Sequence, residues 1–190
     1  MTVRTILATL SLLSFGASRD ASWYLERNEA QIHILKKLTS DVCDEGFIFL
    51  VEARKCVKYF KESLTWQEAK EKCLELKGEL LKIENGHVQK WISEHDTDDK
   101  SEAWIGLSDR AQEGVWRWSV DGSTLAQDDY SNWNSAQNEP NNGGGRGENC
   151  VVINYLGEGK WNDEKCNDAN FKRHFWCEKR ICPDACRKES

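Results

Sequence analysis

Three short segments late in the chain carry its chemistry: Asn138-Glu139-Pro140-Asn141, Glu148-Asn149-Cys150 and Trp161-Asn162-Asp163. All are sets of oxygen donors. A hard divalent cation such as Ca2+ is held by about six to eight oxygens from carboxylates, side-chain amides and backbone carbonyls, and Glu139, Asn141, Glu148, Asn162 and Asp163 supply both side-chain kinds. Their three carboxylates, set against two positive charges, suit a divalent ion. When an asparagine oxygen binds metal its NH2 remains a donor, and a ligating glutamate keeps a lone pair. Donors and acceptors would therefore ring the ion, an arrangement that fits a vicinal diol. Two sugar hydroxyls could enter open coordination positions while donating to Glu139 and Glu148 and accepting from Asn141 and Asn162. Pro140 is one of two prolines in the chain, and its place between two ligand candidates predicts a cis bond that turns both side chains the same way.

Other chemistries fit less well. Glu139 and Glu148 could be cast as the acid and base of a glycoside hydrolase. Carboxylates that ligate calcium are held ionised, however, so neither could serve as the protonated acid, and the chain is read as non-enzymatic. The histidines at 33, 87, 95 and 174 are scattered and receive no catalytic or metal role. Zinc through sulfur is disfavoured, since there is no CxxC and the CxxxC of Cys182 and Cys186 lacks a second ligand pair. A net charge of −6 and a pI near 5.3, with no basic run, exclude the electrostatic footprint of a nucleic-acid binder. Asparagine, aspartate and glycine clusters are most often plain turns, so the assignment rests on the spacing of all three segments together. Trp104, Trp116, Trp118, Trp161 and Trp176 read as core aromatics, while Trp133 is open between the core and a sugar platform.

Several elements must position these residues. GFIFLVEARKCVKYF reads as two strands joined by a polar turn. SLTWQEAKEKCLELKGELLKI reads as an amphipathic helix with Trp66, Ala69, Cys73 and Leu76 on one face, capped by Ser63 or Thr65 and ended by Gly78. Residues 86–95 suggest a second helix with Val88, Trp91 and Ile92 inward, followed by a solvated acidic loop, HDTDDK. AWIGLSD and VWRWSV are strands around a polar turn. Residues 121–149 are poor in aliphatics and form a long excursion, of the kind that is usually functional when it is ordered. CVVIN, GKWND and NFKRHFWCEK complete the strands. Strands, two helices, a long loop and further strands make an α+β domain with a mainly antiparallel sheet.

The chain has 190 residues with 39% hydrophobic and 31% charged residues, enough for one ordinary globular domain with short extensions. Residues 1–18 read as a secretory signal peptide: one basic residue at Arg4, an apolar run over 6–15, and small residues near Gly16 to Ser18. That run is about half of the ~20 residues a membrane span needs, which disfavours an anchor. Secretion agrees with the eight cysteines, all beyond the leader and even in number, which argue for disulfides. Residues 19–42 form a short helical neck or linker, with Leu25, Ile32, Leu35 and Val42 recurring. Polar Asn28 and Thr39 in that seam favour a lone amphipathic helix over a coiled coil. No other segment is apolar enough to span a membrane.

Over residues 43–179 the sequence resembles the C-type lectin family, through WIGL at 104–107, EPN at 139–141, ENC at 148–150, WND at 161–163 and family-like cysteine spacing. The resemblance implies the C-type-lectin-like fold, a secreted carbohydrate-binding protein and a Ca2+ cofactor. It also implies a principal calcium and sugar site on Glu139, Asn141, Glu148, Asn162 and Asp163. An auxiliary calcium site would use Asp109, Glu113, Asn142, Asn149 and the backbone of Glu148. Positions 142 and 149 are often acidic in relatives, and amides there remove two negative charges, weakening attraction for Ca2+. By the same resemblance Cys43 pairs with Cys56, Cys73 with Cys177 and Cys150 with Cys166. Cys182 and Cys186, in the tail over 180–190, pair with each other or join copies into a homo-oligomer. EPN accompanies mannose, N-acetylglucosamine or fucose in the family, so mannose-type glycans, including those of microbial surfaces, are the expected partners. Innate recognition is the expected role. The glycine-rich loop over 142–147 departs from simple mannose-type relatives by about one residue. A structural or protein-binding module, as in biomineral matrix relatives, is the alternative function on the same fold.

Overall fold

The computed structural model describes residues 42–51, 53–95, 101–145, 147–155 and 159–181. The expected leader and neck helix, the acidic loop over 96–100 and the Cys182 and Cys186 pairing lie outside the described residues. The elements, in chain order, are β1 (Ile48–Leu50), β2 (Lys55–Leu64), α1 (Trp66–Glu75), β3 (Glu79–Leu80), α2 (Gly86–His95), β4 (Ala103–Ser108) and β5 (Arg117–Trp118). A 3-10 turn (Ser135–Gln137), the short helix α3 (Asn142–Gly145), β6 (Cys150–Tyr155), β7 (Lys160–Glu164) and β8 (Arg173–Arg180) follow. The fold class is α+β, as the residue patterns require.

The strands form one sheet in the order β1-β2-β8-β4-β6-β7, with β3 on β8 and β5 on β4. Every pairing is antiparallel except β4 with β8, where Ala103 faces His174 and Trp104 faces Phe175. The apolar runs of β4 and β6 are nearly continuous because both faces of the sheet centre are covered. Ala103, Ile105, Leu107, Val151 and Ile153 point into one core with Val88 and Ile92 of α2. Trp104, Cys150 and Val152, one step out of phase, enter the other with Trp66, Ala69 and Cys73 of α1. Three of the buried indoles have partners for their N–H groups: Trp66 donates to Ile105 O at 2.8 Å, Trp104 to Leu64 O at 2.8 Å, and Trp161 to Gln89 Oε1 at 2.8 Å, whereas Trp176 Nε1 has none among the described residues.

Of the two cap candidates for α1, Thr65 serves: its hydroxyl accepts from Glu68 N while the Glu68 carboxylate accepts from Thr65 N, a reciprocal capping box. Gly78 does not end the helix in the way its type suggests. The left-handed residue is Lys77, with φ of 60°, and Gly78 is required by proximity, since a Cβ there would stand 2.6 Å from the Glu178 carbonyl of β8. In α2 the buried positions are Val88, Gln89 and Ile92, with Trp91 only half-buried. Trp91 still packs against the core, its ring meeting Trp176, and Gln89 joins the inward face, its amide bridging Trp161 Nε1 and Gly159 O. Disulfides join Cys43 to Cys56, Cys73 to Cys177 and Cys150 to Cys166, the pairings implied by resemblance. Among the described residues no helix is long and apolar enough to cross a membrane.

Candidate metal and carbohydrate site

The hairpin β6–β7 is the floor on which the oxygen donors gather. Its register sets Cys150 opposite Glu164, Val151 opposite Asp163 and Val152 opposite Asn162. Glu148 and Asn149, just before β6, therefore lie at the end of the hairpin where Asn162 and Asp163 emerge. Asn149 N donates to Glu164 O at 3.1 Å, and the Cys150–Cys166 bridge closes that end.

The long excursion is stitched onto β7 in steps. Trp133 bridges Trp161, and Trp161 N donates to Asn132 O at 2.9 Å while Asn134 N donates to Trp161 O at 3.0 Å. Trp133 is half-buried and packs on Trp116 and Trp161, so the open assignment resolves toward the core. Glu139 N then donates back to Asn134 O at 3.1 Å, across a left-handed Asn138 with φ of 58°. The Glu139–Pro140 bond is cis, as the sequence predicts. Pro140 and Asn141 are exposed, which makes this a surface loop and not a cleft.

Asp163 anchors the loop. Its carboxylate, 1% exposed, accepts from Asn141 N at 3.0 Å through Oδ1 and from Asn142 N at 2.7 Å through Oδ2. Asn141 in turn bends back, its Oδ1 accepting from Gly143 N at 2.7 Å, which leaves that oxygen a second lone pair. Glu148 lies against the same backbone: a Cβ on Gly143 would stand 2.6 Å from the Glu148 carboxyl carbon.

Glu139 and Asp163 stand side by side. Burial pushes the Glu139 carboxyl up to about 8, the Asp163 carboxylate beside it adds to the rise, and Glu148 contributes further. Glu139 Oε2 is buried without a hydrogen-bond partner among the described residues. Two carboxylates pressed together, one with an unmatched oxygen, are the electrostatic situation that a divalent cation relieves, and a donor set of carboxylates and amides matches calcium. Asn162 is buried next to Asp163 on β7. Among the described residues its side chain makes no hydrogen bond to the other four, and no three acidic, histidine or cysteine side chains are drawn into a closed cage.

Asp109, Glu113, Asn142 and Asn149 are also brought together, but as donors meeting acceptors. Asn149 Nδ2 donates to Asp109 Oδ1 at 2.9 Å and lies 3.4 Å from Glu113 Oε2, while Asn142 Nδ2 donates to Glu113 Oε1 at 2.8 Å. Two features escaped the reading of the sequence. Asn142, taken only as a weak ligand, is a hub whose Oδ1 accepts from Gly147 N at 2.9 Å and Glu148 N at 2.7 Å. Glu164 is buried beside the site, its carboxyl pushed up to about 7 by burial in spite of Arg173 at 2.8 Å. The Asn142-Gly143 dipeptide does signal a turn. Nothing in it reveals which atoms the turn ties together.

Residues 62–179 match the family model of the lectin C-type domain. The chain is 35% identical over 161 residues to a mouse low affinity immunoglobulin epsilon Fc receptor, covering 81% of this chain and 45% of that protein. It is 36% identical over 124 residues to C-type lectin domain family 4 member M of Hylobates lar, covering 65% of this chain and 28% of that one. It thus spans less than half the length of these curated relatives. The carbohydrate-recognition domain of cow CD23, solved in the presence of a GlcNAc2Man3 oligosaccharide, superposes with a TM-score of 0.62 at 33% identity, over 74% of this chain and 98% of that one.

Proposed function

This chain belongs to the C-type lectin domain family, and from that premise we propose that it is a secreted, calcium-dependent lectin for mannose-type glycans, acting in innate recognition of microbial surfaces. The observation that carries the reading is the buried Glu139 carboxylate held against Asp163 with one oxygen unmatched. Glu139, Asn141, Glu148, Asn162 and Asp163 would hold the ion. Bound calcium supplies open coordination positions for two neighbouring sugar hydroxyls. Around them the protein supplies direction: Glu139 and Glu148 accept from the hydroxyls, and the amides of Asn141 and Asn162 donate to them. The backbone clasp on Asp163 fixes where Asn141 stands before any ligand arrives. A mannan-bearing particle offers many copies of this diol, and sugar bound at a small exposed surface is held weakly, with a Kd near 1 mM or about 4 kcal/mol. Linked copies would raise that by roughly 10²- to 10⁴-fold where geometry permits.

Members of this domain family are generally not enzymes, and the chain is proposed to bind sugar without cleaving it. A glycan array run with calcium and again with chelator tests the reading. Binding to mannose, N-acetylglucosamine or fucose glycans that chelator abolishes is expected. Calcium-independent binding, or none to any glycan, would replace it with the protein-binding module.

A further inference from the structure

We infer that the cluster of Asp109, Glu113, Asn142 and Asn149 takes no calcium, and that its two amides do the work of a cation by cross-linking the two acids to the loop that carries the principal site. The family places an auxiliary ion on these residues, and the atoms present do not fit one. An amide oxygen has two lone pairs, and both of those on Asn142 Oδ1 are filled, by Gly147 N at 2.9 Å and Glu148 N at 2.7 Å. The same two contacts fix the amide's orientation. Rotating it would set an NH2 group against two backbone N–H donors, so Nδ2 must face Glu113 Oε1, 2.8 Å away.

Asn149 is constrained from the other side. Its Nδ2 stands 2.9 Å from Asp109 Oδ1 and 3.4 Å from Glu113 Oε2, and only a donor can face two carboxylates. Asp109 is 1% exposed and its second oxygen already accepts from Gly114 N at 2.8 Å. A cation entering here would meet N–H groups where it needs oxygens, and it would have to break the two bonds that fold the glycine-rich turn back onto Glu148. The network therefore shapes Glu148 and Asn141 for the principal site: Asn142 N also donates to Asp163 Oδ2 at 2.7 Å, so one residue ties Glu113, Glu148 and Asp163 together.

That the principal site holds an ion rests on the function proposed above, and the test separates the two ideas. Calcium bound per chain is counted by equilibrium dialysis on the intact protein and on the Glu139→Gln variant, which disables the principal site. One ion in the wild type and none in the variant is the expected result. An ion retained by Glu139→Gln, or two in the wild type, would overturn the amide assignment. None in either protein would leave the amide assignment standing and sink the calcium-dependent reading of the principal site. The converse variant is Asn142→Asp with Asn149→Asp, which keeps a side-chain oxygen at 142 to accept from Gly147 N and Glu148 N and surrounds the cluster with four carboxylates. It is expected to bind one ion more than the wild type and to melt at a higher temperature in calcium than in chelator. An unchanged count would refute the amides as what keeps the cation out. Thermal melts of all proteins, read with and without calcium, separate a misfolded variant from one that merely lacks a site.

Discussion

Each donor near the Glu139-Pro140-Asn141 segment can be tested singly. Glu139→Gln removes a charge but keeps the shape, and Asn162→Asp replaces a donor amide by an acceptor. Either change is expected to reduce mannose binding at least ~10-fold, the ~1.4 kcal/mol that one charge-assisted hydrogen bond contributes, while the circular dichroism spectrum is unchanged. Wild-type binding by both variants, measured by calorimetry or retention on immobilised mannan, would discredit the site. Gly143→Ala probes the close approach of the loop to Glu148, where a Cβ would stand 2.6 Å from the carboxyl carbon and 2.7 Å from its oxygens. The φ of 51° at Gly143 adds backbone strain to the clash. Displacement of Glu148 should weaken sugar binding with little change in melting temperature, since the loop lies outside both cores.

Among the elements, α1 and the β2–β8 pair show how stability is distributed. Replacing Thr65 by Ala removes one half of the capping box and should cost about 1 kcal/mol in denaturant unfolding. A larger loss is expected at Lys55. Its ammonium, on a side chain 5% exposed, sits 2.8 Å from both Glu84 and Glu178, and Glu178 is 4% exposed. Lys55→Ala leaves the buried Glu178 carboxylate without its cation and should destabilise by about 3 to 5 kcal/mol. Asp121 links the turn after β5 to Lys82 and Arg180. Burial pushes its carboxyl up, but hydrogen bonds from Ser123 and the Lys82 ammonium outweigh this and hold it at about 2, below its ordinary 3.8. A carboxyl with a lowered folded value contributes stability above its ordinary range and loses it as pH falls toward 2. Asp121→Asn should therefore flatten the loss of stability between about pH 4 and pH 2, read from acid unfolding curves, relative to the wild type.

For the whole molecule, calcium and folding should be linked. Because calcium would bind the assembled loop and not the unfolded chain, saturating it at ~100 times its Kd should add about 2.7 kcal/mol and raise the melting temperature, an effect that chelator reverses. A melting temperature unmoved by calcium would argue against the site. The linkage is asymmetric in space: the two cores covered by α1 and α2 hold the sheet, while the site sits on the stitched loop beyond β7. Chelation is expected to release sugar with the far-ultraviolet spectrum retained.

Much of this was legible before any fold was known. The cis proline, the helix face of Trp66, Ala69 and Cys73, and the strand at β4 follow from residue type and spacing, because local chemistry and period-two or 3.6 patterns are carried by the chain itself. What the tertiary structure decided are contacts between residues far apart in sequence. Gln89 is buried on α2 beside the inward residues because its amide oxygen accepts from the indole N–H of Trp161, on a strand 72 residues away. Gly78 is glycine because β8 passes over it, and Asn142 became a hub because Glu113, Gly147, Glu148 and Asp163 converge on one amide and its backbone. Such pairings depend on where the sheet brings distant segments, a matter of global geometry and mutual satisfaction of buried polar groups that no local pattern encodes.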